Sequence, residues 1–345
     1  MRVLNSLRSR SGGFTLVEIL VALALVTGLT LMMFQAVSPW MSLRQKIETE
    51  RRLDQVRSAL ETAYSVNAMQ IEGQSGAVLR LTHAGTTRDV VASTLTGASG
   101  SRRCDPNQVA AEALAPYVAD DVNRSLTDGS KAPLCLFITS RTSQDREGVP
   151  IYYHVAAIVA LGNDGVLGAT TALGSDGVLT IHPGSDDLGV VVNGFTVQYD
   201  LYKETRRRVE RVADLYGSYF TARYLGNPAR DYSIDYFVAS NAQTYYDGAA
   251  AGTGPQPTGS MWMPVSQALA NLGLGPDEKV SAYESSNAIE VANQALDSAH
   301  IIAGVQVQEP ATKAGLALPP YTALLRARLP GPSNTYLLRV VPGNY

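Results

Sequence analysis

Reactive side chains are scarce in this chain of 345 residues, which has 4 histidines, 2 cysteines and 2 tryptophans, with only 17% of its residues charged. The histidines, His83, His154, His182 and His300, lie far apart and in no metal-ligating spacing. There is no His-Glu-x-x-His, no Gly-x-Ser-x-Gly and no glycine loop of the kind that cradles a phosphate. A zinc protease, an α/β-hydrolase and a P-loop nucleotidase are thereby left without their chemistry, so no catalytic residue is nominated and the chain reads as a non-enzyme. The net charge of −3 gives no general pull toward nucleic acid. Cys104 and Cys135 have no histidine at ligand spacing; they make a poor zinc site and suit a single disulfide in an exported protein. Asp164, Asp176, Asp186 and Asp187 offer oxygens that calcium would accept. Asp-Gly turns already account for the first two, and no cofactor is expected.

What the chain does have is one long apolar run, residues 14–37, opened by Gly12-Gly13-Phe14-Thr15-Leu16-Val17-Glu18 and preceded by Arg2, Arg8 and Arg10. Its length suits a bilayer-spanning helix of about 20 residues. The arginines should stay on the cytoplasmic side, so that everything after Val37 is exported. Glu18 is the anomaly, because a carboxylate at that depth costs roughly 3 kcal/mol on insertion scales. The cost is bearable with a partner, and a cut after Gly13 would create one in the new α-amino group of Phe14. An ordinary secretory signal fits less well: the run exceeds the usual apolar core of about 7–15 residues, and its Ala36-Val37-Ser38 site is followed at once by Pro39. A plain membrane anchor leaves Glu18 unexplained.

These residues resemble the class III signal of type IV pilins and of the pseudopilins of type II secretion systems. Gly13 matches the glycine before the cleaved bond, Phe14 the new and N-methylated first residue, and Glu18 the family's glutamate. The resemblance implies that a prepilin peptidase cuts Gly13–Phe14 and methylates the new amine. It implies further that Glu18 pairs with the N-terminal amine of a neighbouring subunit during assembly, a pairing in which two buried charges compensate each other. Other pilins or pseudopilins, the inner-membrane assembly platform and the membrane itself are the implied partners. Pro39 departs from the family, lying later than the proline of many pilin helices.

Downstream, Ser38-Pro39-Trp40 is a place where a helix could bend. Beyond it, Leu53, Val56, Leu60 and Tyr64 recur at three- and four-residue spacing and predict an amphipathic helix that Glu72-Gly73 stops. Strands are expected at 77–83, 89–93, 134–140, 151–161, 190–192 and 195–201, with a closing strand at 336–344. Short helices are expected at 107–115 (Asp105 as cap), 264–271 and 288–299. The near-repeat Leu161-Gly162-Asn163-Asp164-Gly165 and Leu173-Gly174-Ser175-Asp176-Gly177 predicts successive hairpin turns. Residues 228–264 are rich in Gly, Ala, Tyr and Pro, and within them 248–259 read as a mobile loop. Arg206, Arg207, Arg208 and Arg211 form the one dense basic patch, which Glu204, Glu210 and Asp214 partly balance on a solvated helix or hairpin edge. The tyrosines and phenylalanines between 199 and 246 suit core and subunit contacts.

The expected fold is α+β: a leader at 1–13, a transmembrane or filament-core helix segment at 14–37, an amphipathic helix at 38–72, and an exported β-rich domain at 73–345. An antiparallel pilin-like sheet, with loop and helix insertions, would receive the helix. The resemblance implies a minor pilin, a structural subunit of a type IV pilus-like filament that primes assembly or lies near its tip. The mature protein would wait in the inner membrane with its domain in the periplasm. A J-type pseudopilin of a type II secretion system is the alternative within the same architecture. A membrane-tethered adhesin or DNA-binding protein is the alternative from another class.

Overall fold

The computed structural model describes residues 16–98, 101–118, 126–230, 236–237, 263–268, 273–295, 300–302, 305–307, 321–332 and 335–343. The N-terminal helix α1 (Leu16–Val66) runs for 51 residues, unbroken through Pro39, a length of about 75 Å at 1.5 Å per residue. It stops short of the expected end at Glu72. Asn67 Nδ2 donates to Ala63 O at 2.8 Å and to the Tyr117 hydroxyl at 3.0 Å, and its Oδ1 accepts from Thr82 N at 2.8 Å. The amide thus competes with the helical ladder, and α2 (Ala68–Glu72) begins afresh beyond it.

A hairpin follows, β1 (Val78–His83) with β2 (Thr86–Val91). Its two-residue turn places Ala84 and Gly85 at φ of 47° and 80°, the left-handed pair that a tight hairpin requires. After β3 (Leu95–Thr96) and β4 (Arg103–Cys104) comes α3 (Gln108–Leu114). Its cap is Asn107 rather than the expected Asp105, for Asn107 Oδ1 accepts from Ala110 N at 3.0 Å, the bond that satisfies a first-turn donor.

The expected strand 151–161 is two strands serving two sheets. β6 (Thr142–Arg146) pairs with β7 (Val149–Tyr153), whereas β5 (Cys135–Ile138), β8 (Val155–Ala160) and β11 (Leu188–Asn193) form a sheet in the order β11-β8-β5. His154 is the single residue between β7 and β8. Every residue of β8 is buried, as expected of a central strand covered on both faces. Ala156, Ile158 and Ala160 face the core that contains α1, and Val159 faces the Cys104–Cys135 side. The second Asp-Gly copy closes the hairpin of β9 (Ala172–Leu173) with β10 (Leu179–Thr180). In the first copy the turn forms, with Gly165 at φ 64°, but Leu167 N bonds to Arg102 O instead.

A second core lies between α4 (Gly194–Gly226) and the four-stranded antiparallel sheet β12-β13-β16-β17. Its strands are β12 (Met263–Pro264), β13 (Glu290–Ala295), β16 (Tyr321–Arg328) and β17 (Tyr336–Pro342), the last being the expected closing strand. Two expectations fail here. The strand expected at 195–201 is the start of α4. Asn193 Oδ1 caps it by accepting from Phe195 N at 3.0 Å, and Gln198, Tyr202, Thr205, Val209, Val212, Tyr216, Phe220 and Tyr224 are buried at helical spacing. Where a helix is expected at 288–299, residues 290–295 form β13, which runs in register with β16 from Glu290↔Arg326 to Ala295↔Tyr321, and 296–299 lie outside the described residues. There Val291 and Leu325, opposite each other, are both fully buried. The helix expected at 264–271 is described as α5 (Val265–Ala268). The hairpin β14 (His300–Ile302) with β15 (Val305–Val307) completes the described elements. The loop expected at 248–259 lies outside the described residues.

The α+β architecture, an N-terminal helix followed by antiparallel sheets, agrees with the expectation. Among the described residues, however, no helix is long and apolar enough to cross a membrane, so the transmembrane character of 14–37 rests on sequence.

Candidate functional site

Helix α1 has two unlike halves. In the first, Leu16, Val17, Ile19, Leu20, Val21, Leu23, Leu25, Val26, Leu29, Met32 and Met33 are each more than half exposed. Leaving these side chains in water forgoes on the order of 20 kcal/mol of burial free energy, far beyond what a lone soluble surface carries. Thr27 and Thr30 turn their hydroxyls back onto the carbonyls of Leu23 and Val26, both at 2.6 Å, which spares an apolar neighbour two unsatisfied donors. Glu18 stands in the first turn of this half, exposed. Gly13 and Phe14 lie outside the described residues.

The second half is the mount. Leu53, Val56, Leu60 and Tyr64 are each 2% exposed or less, on the stripe that their spacing predicts, and they pack on the sheet through Ala156, Ile158 and Val192. Where α1 meets the domain, Arg52 is nearly buried. It pairs with Glu48 at 3.0 Å and donates to Thr127 O at 3.0 Å and Asp128 O at 2.6 Å, while Thr49 Oγ1 accepts from Gly129 N at 2.9 Å. These bonds fix the loop around Asp128 to the helix.

At the far end, Tyr64, Glu72 and His154 form a fully buried polar node. The Tyr64 hydroxyl donates to Glu72 Oε1; His154 N donates to the Tyr64 oxygen at 2.9 Å and to Glu72 Oε1 at 3.1 Å. His154 Nδ1 faces Glu72 Oε2 at 3.0 Å, and Nε2 donates to Gly76 O at 2.9 Å. The node thereby ties the end of α1, α2 and the β7–β8 joint into one unit. Burial, and next the charge of Glu72, push the Tyr64 hydroxyl well above the ordinary tyrosine range. Of the expected site residues only Glu18 belongs to the exposed half, and sequence reading missed the node altogether. Its one trace is a lone histidine inside an apolar strand run.

Cys104 and Cys135 are joined in a disulfide, Cα–Cα 5.5 Å, against Val159, Leu161 and Leu167. The basic patch lies on α4 and is paired throughout: Arg206 with Glu210 and Glu147, Arg207 and Arg208 with Glu204, Arg211 with Glu278. Hydrogen bonds from Arg207 and then Arg208 hold the Glu204 carboxyl below its usual range. Asp164 and Asp176 each spend Oδ1 on their own turn, accepting from Val166 N and Val178 N. Among the described residues no group of three or more His, Cys, Asp or Glu side chains is arranged to hold a metal.

Residues 8–34 match the model of the prokaryotic N-terminal methylation motif. The chain therefore carries a type IV pilin-like class III signal, which implies processing by prepilin peptidase and assembly with other pilins. No curated protein and no solved structure matches the chain.

Proposed function

We propose that the chain is a minor pilin: a prepilin-peptidase substrate whose exposed apolar helix becomes part of a filament core. The observation that carries this reading is the joining of the methylation motif to a bare apolar half-helix that continues, without a break, into a half buried in the domain. Cleavage at Gly13–Phe14 would put an amine four residues from Glu18. Residues 14–37 would hold the mature chain in the inner membrane until extraction, with Trp40, two-thirds exposed, at the interface where tryptophans concentrate. In the filament, Glu18 would face the amine of a neighbouring subunit, and the aliphatic side chains would pack on neighbouring helices in place of lipid. The motif supports a structural subunit rather than an enzyme. The pairing of Arg206, Arg207, Arg208 and Arg211 with carboxylates supports a scaffold role for that stretch of α4 over polyanion binding. A J-type pseudopilin shares all these features; the filament with which the chain copurifies tells the two apart.

The test is the N-terminal mass of the membrane-associated protein, with and without prepilin peptidase. A chain beginning at N-methyl-Phe14, lost in the peptidase mutant, is the expected result. An intact Met1, or a cut near Ser38 in both strains, overturns the reading.

A further inference from the structure

Two of the sheet edges in this fold are blunted. β12, one edge of the second sheet, is two residues long. β5, an edge of the first, is engaged by Ser93, whose N donates to Leu136 O at 2.7 Å and whose Oγ accepts from Leu136 N at 2.9 Å. β17 is different. Seven residues long, it has no strand on its far side among the described residues, an arrangement that proteins ordinarily avoid because it invites another strand.

The pairing shows which groups this edge offers. Leu329 N donates to Thr335 O at 2.9 Å, and bonded pairs recur at every second position of an antiparallel ladder. Leu337, Arg339 and Val341 therefore spend their backbone groups on Ala327, Leu325 and Ala323 of β16, whereas Tyr336, Leu338 and Val340 turn theirs outward. Pro342 falls at the next outward position, where β16 has no need of an N–H.

A cavity of about 530 Å³ lies beside the edge, between Arg339, Val341 and Pro342 of β17 and Ala213, Gly217 and Thr221 of α4. The three α4 residues are small and four apart, and a Cβ on Gly217 would lie 3.7 Å from Val341 Cγ1. A strand added to β17 would stand about 4.8 Å from it, with alternate side chains directed into this cavity. Upstream, Glu147 and Val149 face Leu337 and Leu338 across a second cavity of about 210 Å³, so the open run is Leu338 to Pro342. Arg339 and Asp214 both line the larger cavity, are exposed, and have no ion-pair partner among the described residues.

We propose that this edge takes up an extended strand of a partner polypeptide, aliphatic at the positions that face α4 and carrying a carboxylate opposite Arg339. Backbone bonds to Leu338 and Val340 supply the affinity, and the cavity and Arg339 supply the selection, as in other strand additions. The proposal goes beyond the filament reading, which rests on α1 alone.

The experiment titrates the full chain in detergent micelles with an end-blocked heptapeptide, Thr-Val-Thr-Glu-Thr-Val-Thr, and follows hydrogen exchange at single amides. With peptide at about ten times its Kd, the Leu338 and Val340 amides should exchange about tenfold more slowly, while those of Leu337, Arg339 and Val341 keep their rates. Leu338→Pro removes one outward donor, spares the ladder to β16, and should weaken binding about fivefold, the net worth of one hydrogen bond. Arg339→Glu should reverse the preference between this peptide and its counterpart with lysine for glutamate, and it suffices should the proline variant not fold. No protection at millimolar peptide, protection that does not alternate along β17, or an unchanged peptide preference in a folded Arg339→Glu variant overturns the proposal. Leu338 and Val340 amides already slow without peptide would show the edge filled by the chain itself or a second copy, and would overturn it equally.

Discussion

Replacing Tyr64 by phenylalanine removes a single atom from the buried node and keeps the ring that packs on the sheet. The hydroxyl donates to Glu72 Oε1 and accepts from His154 N, so the variant strips the carboxylate of one donor while His154 N retains Glu72 Oε1 at 3.1 Å. A hydrogen bond to a charged group contributes about 1.5–3 kcal/mol, which sets the expected loss at about 2 kcal/mol. Glu72→Leu removes the common acceptor instead, leaving His154 Nδ1 and the Tyr64 hydroxyl facing an alkyl chain. Each buried donor left without its acceptor costs about 1–3 kcal/mol. Because both substitutions empty the same network, the double variant should be less destabilised than the two losses combined, by about 0.5–3 kcal/mol. Urea denaturation of the detergent-solubilised full chain, followed by circular dichroism with the slope held to the wild-type value, reads all three. A Tyr64→Phe loss below about 0.5 kcal/mol, the range of ordinary surface changes, would refute the claim that the node fixes the helix to the sheet. Strict additivity would refute the network.

Replacing both Cys104 and Cys135 by serine should cost about 4 kcal/mol, the chain-entropy value for a sequence separation of 31; a loss under about 1 kcal/mol by the same denaturation would contradict it. Burial pushes the Tyr64 and Tyr283 hydroxyls up, so each holds its proton more tightly folded than unfolded. The stability they contribute is complete below about pH 10 and falls as pH rises above it, by about 1.4 kcal/mol per pH unit for each; a spectrophotometric titration in which every tyrosine of the folded chain ionises reversibly near pH 10 would sink this. Glu18→Gln should leave the cut at Gly13–Phe14 intact and lower recovery of the subunit in sheared filaments by about a hundredfold, the equivalent of the roughly 3 kcal/mol lost when one member of a buried charge pair is removed; equal recovery would remove Glu18 from assembly.

The legible parts of the chain were those in which one solvent or one neighbour acts on a whole segment. The run 14–37 announces itself because hydrocarbon demands apolar residues over a whole span and makes the one carboxylate, Glu18, conspicuous, and the stripe Leu53, Val56, Leu60, Tyr64 because a single sheet covers one face of a helix. The failures came where a short pattern serves two periods. Phe195, Val197, Tyr199 and Leu201 alternate like a strand, but only the spacing from Gln198 to Tyr224, read over many turns, displays the helix α4. The segment 288–299 carries helix-forming Ala, Glu, Leu and Gln, and the strand identity of residues 290–295 comes from β16, a partner some thirty residues away to which their own sequence does not refer. His154 was invisible as a joint for the same reason: the groups that divide β7 from β8 are Tyr64 and Glu72, distant in sequence.

That division explains how the candidate site and its mount can differ so much in legibility within one helix. The apolar half needs only a chemical class of partner, lipid or other helices, so many sequences satisfy it and a short motif suffices to mark it. The buried half must meet one surface in one register, and its polar residues are matched singly: Arg52 to two carbonyls of one loop, Asn67 to Thr82 N, Glu72 to His154. A force applied to α1 during assembly reaches the domain through these bonds and the apolar stripe between them. The helix is therefore held at both ends of its contact, at Thr49 and Arg52 near the apolar half and at the Tyr64–Glu72–His154 node at the other end. Loosening either end should disturb the direction in which the domain is carried without touching the motif that the peptidase reads.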